Sequence, residues 1–343
     1  MARVYGIDMG TSMLTIYSKG EGIIYEEKNI IAIIDDKKVI AIGNDAYDMY
    51  GKAPSNICIS YPVQCGVIAD IKNMNSMLNL VFDKIGEKNG RVIGGEFIVT
   101  VPTDITEVEK RAFVELIENS NAKPKRVRLV ERPVADALGA GLDVTGASGV
   151  MVVDIGADTT EISVLSLGGI VLSKIIPVGG NKMDLNIISA VRKNYALVIG
   201  NKTAETLKMK LASAIKPMDN EVISMKVYGR DVISGLPLER EIDSAFIYDA
   251  VSEHLMTIVD GVKSVLERIP PEIASDIIDS GIYVTGGSAQ IKNMDRLFIN
   301  ATELLVNICE DPGNTVAMGL GRIIERPALD SLATKLRSQQ LRD

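Results

Sequence analysis

The chain is 343 residues long, which points to about two domains rather than one core. Apolar residues make up 46% and aromatic residues 4%, with no Trp, so buried cores must rest on Ile, Val, Leu, Met and Ala. A net charge of -8 does not suit nonspecific binding to nucleic acid or anionic lipid, though local basic patches stay open, and Cys58, Cys65, Cys309 and the lone His254 lack the spacing of a zinc site.

The start, Met1-Ala2-Arg3-Val4-Tyr5-Gly6, runs straight into a strand and carries no signal-peptide pattern. No apolar run is long enough to span a bilayer. A soluble cytoplasmic protein with reduced thiols is therefore expected. The first predicted strand, Val4 to Asp8, leads into Met9-Gly10-Thr11-Ser12 and a second strand, Leu14-Thr15-Ile16-Tyr17. Gly22-Ile23-Ile24 opens a third. Strands are also predicted near 29–34 and 39–42.

The loop Asn89–Gly94 offers Val92 and Ile93 beside a cation, a small surface for membrane insertion. A strand is predicted at 96–101. Thr106-Glu107-Val108-Glu109 is a capping box, opening a helix with Ala112, Phe113, Leu116 and Ile117 on one face. The basic run Lys123 to Arg128 reads as a solvated loop, leading to a strand at 127–130.

The pattern of the N-terminus then returns. Met151-Val152-Val153-Asp154-Ile155-Gly156-Ala157-Asp158-Thr159-Thr160 again places an apolar strand before Asp-x-Gly and small or hydroxyl residues. Glu161-Ile162-Ser163-Val164-Leu165 matches the strand Leu14 to Tyr17, and Gly169-Ile170-Val171 matches Gly22-Ile23-Ile24. Such an extended match implies two similar domains, each opening with a β-hairpin. A tight turn of Gly, Thr and Ser aims backbone N–H groups outward as an anion-binding nest. Asp8 and Asp154 beside these turns cannot bind phosphate themselves, because like charges repel. They suit Mg²⁺ held through water, the metal bridging to a polyphosphate. Neither a Walker-type P-loop nor a G-x-G-x-x-G fingerprint is present.

Further on, a strand is predicted at 170–176. Asp184 is expected to cap a helix carrying Leu185, Ile188 and Val191, and residues 218–242 to form a small β-containing insertion. An amphipathic helix from Ser244 to Ile269 should stop at Pro270-Pro271; His254 sits in it among Leu255, Ile258 and Val259 as a structural residue. The strand 282–285 ends in Gly286-Gly287-Ser288-Ala289, where glycine lets backbone approach a flat ligand such as an adenine ring. A helix should begin at Ile291, and the Leu329–Leu341 tail reads as helical. Alternating strands and helices indicate an α/β architecture.

These three turns, in this order, resemble those of the actin, sugar-kinase and heat-shock-chaperone superfamily. Over nearly its whole length the chain is similar to the MreB family of bacterial actins. The resemblance is carried by Ile7-Asp8-Met9-Gly10-Thr11, Gly66-Val67-Ile68-Ala69-Asp70, Val101 to Thr106, Gly149 to Gly156, Ser166 to Val171, Lys202-Thr203-Ala204-Glu205, and Pro270-Pro271-Glu272 through Thr285-Gly286-Gly287. It implies an actin-like (ribonuclease H-like) duplicated α/β fold, four subdomains around a nucleotide cleft. The first half would be 1–144 with 315–343, including a small subdomain near 33–66. The second would be 145–314, including one near 182–242. The resemblance further implies binding of ATP with Mg²⁺ by Asp8, Gly10, Thr11, Ser12, Asp154, Gly156, Ala157, Asp158, Thr159, Glu205, Lys208, Gly286, Gly287, Ser288 and Ala289. It also implies head-to-tail filaments, often paired, at the inner face of the plasma membrane, working with the cell-wall elongation machinery.

Several positions depart from the family pattern. Ala157 and Asp158 stand in a run of glycines, where Asp158 would face phosphate charge and Ala157 would resist a positive φ. The catalytic acid before the proline of the linking helix is Arg132, in Val130-Glu131-Arg132-Pro133. Arginine has no acceptor and stays charged, so it cannot orient an attacking water by taking its proton. Glu131 is adjacent but should point elsewhere, and Arg132 is suited to a γ-phosphate. Lys210 stands at the ribose-binding acid, Ala212 at the glycine after it, Asn181-Lys182 at an acidic pair, and Ser288 at a third glycine of the adenine turn. The expected function is an MreB-like filament protein of the cell-shape machinery with slow or impaired ATP hydrolysis. The alternatives are a nucleotide-independent scaffold copolymerising with a standard MreB, and a small-molecule kinase or chaperone ATPase of the same fold.

Overall fold

The computed structural model describes residues 3–89 and 92–336. The chain divides into two compact units. One is Met1–Val150 with Ser163–Ser173 and Gly313–Asp343; the other is Met151–Ile162 with Lys174–Pro312.

The first unit begins with β1 (Val4–Met9), β2 (Met13–Ser18) and β3 (Gly22–Lys28), an antiparallel meander in which Ile7 pairs with Ile16 and Asp8 with Thr15. Next come β4 (Ile31–Ile34), β5 (Lys38–Ile42), α1 (Gly43–Met49) and β6 (Ile57–Ser60). They make a three-stranded sheet, order β5-β4-β6, over a cluster of Ile30, Ala32 and Ala46. A short hairpin of β7 (Val63–Gln64) and β8 (Val67–Ile68) precedes α2 (Ile71–Asn89), β9 (Glu96–Val101), α3 (Glu107–Glu118), β10 (Arg126–Glu131) and α4 (Arg132–Gly139). The main sheet has the order β10-β9-β1-β2-β3. β9 runs parallel to both β1 and β10, so its connections must cross over, which α2 and α3 do. The core is aliphatic apart from a few rings: Ile7, Met9, Leu14, Ile16, Met74, Val99 and Ile117 are buried, and Tyr5 stacks on Phe97 at 5.2 Å.

The capping box is present. Thr106 Oγ1 accepts from the Glu109 N–H at 3.2 Å, and Glu109 accepts from the Thr106 N–H at 2.7 Å. Three expectations fail in this unit. The basic run is not solvated throughout: Arg128, in the expected strand, is 4% exposed, and its guanidinium reaches Asp330 at 2.7 Å. Val92 belongs to the core, leaving only Ile93 on the surface, while Gly90 and Arg91 lie outside the described residues. The tail is a 3-10 helix at Pro327–Leu332, after which Thr334 bridges to Leu129 in β10; its residues beyond 336 lie outside the described residues.

The second sheet is built from β11 (Val150–Ile155), β12 (Thr160–Ser166) and β13 (Gly169–Ile176), joined later by two more strands. Next in the chain are α5 (Gly180–Tyr195), β14 (Leu197–Val198), α6 (Asn201–Leu211), β15 (Ser224–Asp231) and β16 (Pro237–Asp243), the three strands forming a small sheet where the insertion is expected. Then come α7 (Ser244–Leu266), α8 (Pro271–Ser280), β17 (Ile282–Thr285), α9 (Met294–Thr302), β18 (Val306–Ile308) and α10 (Thr315–Glu325). The sheet order is β13-β12-β11-β17-β18, with β11 parallel to β17. Each sheet thus has a three-strand meander whose first strand pairs with a parallel neighbour, so the sequence repeat is a repeat of topology.

Asp243 caps α7 by accepting from the Phe246 N–H at 2.7 Å, and Pro270-Pro271 start α8 rather than merely ending α7. Asp184 does not cap α5. The helix starts a turn earlier, at Gly180, and Asp184 is inside it. Its buried stripe is Met183, Ile187 and Val191, while Leu185 is 58% exposed. No helix begins at Ile291: Gly287–Gln290 is a 3-10 turn, Asn293 is left-handed, and α9 starts at Met294. Among the described residues, no helix is long and apolar enough to cross a membrane.

Candidate functional site

In the first unit, Asp8 lies on β1 one residue before the strand ends, and Gly10, Thr11 and Ser12 form the turn into β2. The turn is tied down from outside. The Asn29 side-chain amide donates to the Gly10 carbonyl at 2.7 Å, the Gly66 N–H donates to Thr11 Oγ1 at 3.3 Å, and Lys28 Nζ donates to Ser12 Oγ at 3.4 Å. Thr100, a lone hydroxyl in the apolar strand β9, donates to Asp8 Oδ1 at 2.6 Å.

Arg132 is brought to the same carboxylate. It is the first residue of α4, directly after β10, and Pro133 beside it suits a first helical turn that needs no N–H donor there. Arg132 Nη2 stands 3.7 Å from Asp8 Oδ1, with the two side chains 9% and 16% exposed. Gly66, at φ 80°, lies near the guanidinium: a Cβ built on it would stand 3.6 Å from Arg132 Nη1 and 3.0 Å from Pro102 Cγ. The sequence pattern matches Arg132 to phosphate; in the structure its partner is Asp8. Glu131, the N-cap residue of α4, is not part of this group. It lines a cavity of about 440 Å³ with Lys110, Val134 and Leu336.

In the second unit, Asp154 lies on β11 and Gly156, Ala157, Asp158 and Thr159 form the turn into β12. The Gly156 N–H donates to the Thr159 carbonyl at 2.9 Å. Neither Ala157 nor Asp158 has a positive φ, so the expected strain at Ala157 is absent. The turn's carbonyls receive the start of α5: Gly180 N–H donates to Gly156 at 3.0 Å and Asn181 N–H to Ala157 at 2.7 Å. The Asn181 side-chain amide donates to Asp158 Oδ1 at 2.8 Å. Two of the departures from the family pattern are therefore partners. An acid at 181 would repel Asp158; asparagine donates to it.

The third turn closes on the second. Gly286 has φ 84°, and a Cβ there would overlap the Asp154 carboxylate and the Ile155 carbonyl. Ser288 Oγ donates to the Gly156 carbonyl at 3.1 Å, while Gly287 and Ala289 lie in the same 3-10 turn. Lys208 on α6 donates to the Gly180 carbonyl at 2.9 Å and to Asp184 Oδ2 at 2.8 Å. Glu205 lies one turn earlier on α6. Lys210 is exposed and Ala212 buried. Sequence reasoning missed Thr100 and the pairing of Asp184. The signal for Thr100 was its isolation among Phe97, Ile98, Val99 and Val101.

The magnesium reading meets a difficulty at Asp8. A divalent cation needs the charge of a carboxylate, and a guanidinium already stands against this one. Among the described residues, no group of three or more His, Cys, Asp or Glu could hold a metal ion. Asp8 and Arg132 form an ion pair.

The doubled sheet, the paired Asp-x-Gly turns and the glycine turn after β17 define an actin-like protein. The MreB5 protein of Spiroplasma citri, solved bound to AMPPNP and to ADP, superposes with a TM-score of 0.89 at 34% identity, covering 94% of this chain and 96% of that one. A MamK double helical filament shares the fold at 20% identity and a TM-score of 0.78. The family model described as MreB/Mbl protein matches residues 2–331, and the chain belongs to that family. It is 39% identical to the cell shape-determining protein Mbl of Bacillus subtilis (94% of this chain, 96% of that one). It is 41% identical to the cell shape-determining protein MreB of Escherichia coli K12 (93% and 92%).

Proposed function

We propose that this chain is a cytoskeletal protein of cell-shape determination that binds ATP, assembles head-to-tail filaments and hydrolyses ATP slowly or not at all. The observation that carries the slow-hydrolysis part is Arg132, which occupies the first position of α4 with its guanidinium against Asp8. A guanidinium accepts no proton and so cannot activate water. Nucleotide binding is supported by the two Asp-x-Gly turns and by the relative that holds AMPPNP. In this reading Gly10–Ser12 of the first unit suits phosphate, and in the second unit Gly156–Thr159 suits phosphate while Lys208, Glu205 and Gly286–Ala289 suit the nucleoside.

Self-association is supported by exposed apolar side chains on the β15–β16 hairpin, Tyr228 (70%), Ile233 (90%) and Leu236 (65%). Contacts made head to tail are heterologous and propagate. The proposal includes filaments at the inner face of the plasma membrane beside the wall-elongation machinery. The cell-shape role named for the relatives supports it. Steady-state phosphate release from purified polymer tests the reading. Release well below that of an ordinary MreB, down to the no-protein control, with nucleotide bound, is the expected result; turnover matching an ordinary MreB contradicts it.

A second reading is a nucleotide-independent scaffold that copolymerises with a standard MreB. The Asp158–Asn181 bond favours it, because an acid is fixed at the second phosphate turn. Calorimetric titration with ATP separates the two: measurable binding at cellular concentrations rejects the scaffold.

A further inference from the structure

A carboxylate that faces a polyphosphate needs a cation between them, since two anions repel. At Asp8 the chain carries such a cation itself. Arg132 Nη2 lies 3.7 Å from Asp8 Oδ1, both side chains are largely removed from water, and Thr100 holds the same oxygen at 2.6 Å. The guanidinium sits near the first phosphate turn, because Gly66 lies close to both: its N–H bonds Thr11 Oγ1, and a Cβ built on it would stand 3.6 Å from Arg132 Nη1.

We infer that Arg132 replaces a divalent metal at Asp8, so that this chain binds nucleoside polyphosphate without needing Mg²⁺. The inference rests on the nucleotide-binding reading above. The chemistry is specific to arginine. Its planar fork carries five N–H donors and serves a carboxylate and a phosphate together, and its charge persists at any physiological pH. A metal would bring two positive charges to Asp8 and leave a net positive site. Arginine brings one and neutralises the carboxylate, removing the repulsion rather than creating an attraction. Affinity is therefore moderate, and insensitive to chelation.

The test is calorimetric titration of the full chain with AMPPNP, once in MgCl₂ and once in EDTA. The expected dissociation constants differ by less than about threefold. In R132E two carboxylates meet, and the same removal of Mg²⁺ should weaken binding by about tenfold or more. R132Q, which adds no charge, serves if R132E does not fold; it should bind more weakly in EDTA and recover with Mg²⁺. A merely structural arginine would change the unfolding midpoint of these variants but not the Mg²⁺-to-EDTA ratio. Wild-type binding that appears only with Mg²⁺ overturns the inference and leaves the nucleotide-binding reading intact. No binding in either buffer overturns both.

Discussion

Arg132 and Asp8 illustrate how one substitution changes what its neighbours can do. Arginine at the start of α4 offers no proton acceptor there, and its guanidinium makes the Asp8 carboxylate half of an ion pair. Asn181 and Asp158 form a second such couple. N181D should place two carboxylates together and lower stability by about 1 kcal/mol. The double variant N181D/D158G should recover most of that in urea unfolding, as a double-mutant cycle measures. His254 behaves differently. Burial lowers its pKa below the ordinary 6.5, so the folded state holds it neutral. As pH falls through 6.5 the unfolded chain takes up the proton first, and stability present above that pH is lost toward the lower folded pKa. H254Q should therefore lose less stability than the wild type between pH 7 and pH 5. The arginine and the two turns were legible as residue types. Their partners were not, because Asp8 meets Arg132 across 124 positions of chain and only packing brings them together.

Elements hold these residues in place. α3 is held at its N-terminus by a reciprocal cap, which the Thr-x-x-Glu spacing made visible in advance. T106A should cost about 1 kcal/mol in denaturant unfolding. The α5–α6 pair is held by a buried ion pair, Lys208 with Asp184, each side chain 11% exposed. K208M leaves the carboxylate buried without its cation and should cost about 3–5 kcal/mol, with part of the loss returned by K208M/D184L. Here the sequence misled. An Asp before an apolar stripe reads as a cap, but α5 starts at Gly180, whose N–H is taken by the Gly156 carbonyl. That bond is tertiary and leaves no local signal. The same holds for Val92, which stands between two glycines in the sequence Gly90-Arg91-Val92-Ile93-Gly94 but packs in the core.

At the scale of the molecule, the repeat of Asp-x-Gly meanders was the most legible feature, because an apolar strand, a glycine turn and another strand are all local patterns. It gives two five-stranded sheets of matching order, β10-β9-β1-β2-β3 and β13-β12-β11-β17-β18. Membership of the MreB/Mbl family and the exposed apolar hairpin at Tyr228, Ile233 and Leu236 make polymerisation the property on which the functional reading stands. Electron microscopy of the purified chain, with and without ATP, tests this directly. Filaments formed with ATP and lost or shortened without it are the predicted result. Absence of filaments in both conditions, from a protein shown to be folded, would contradict the account.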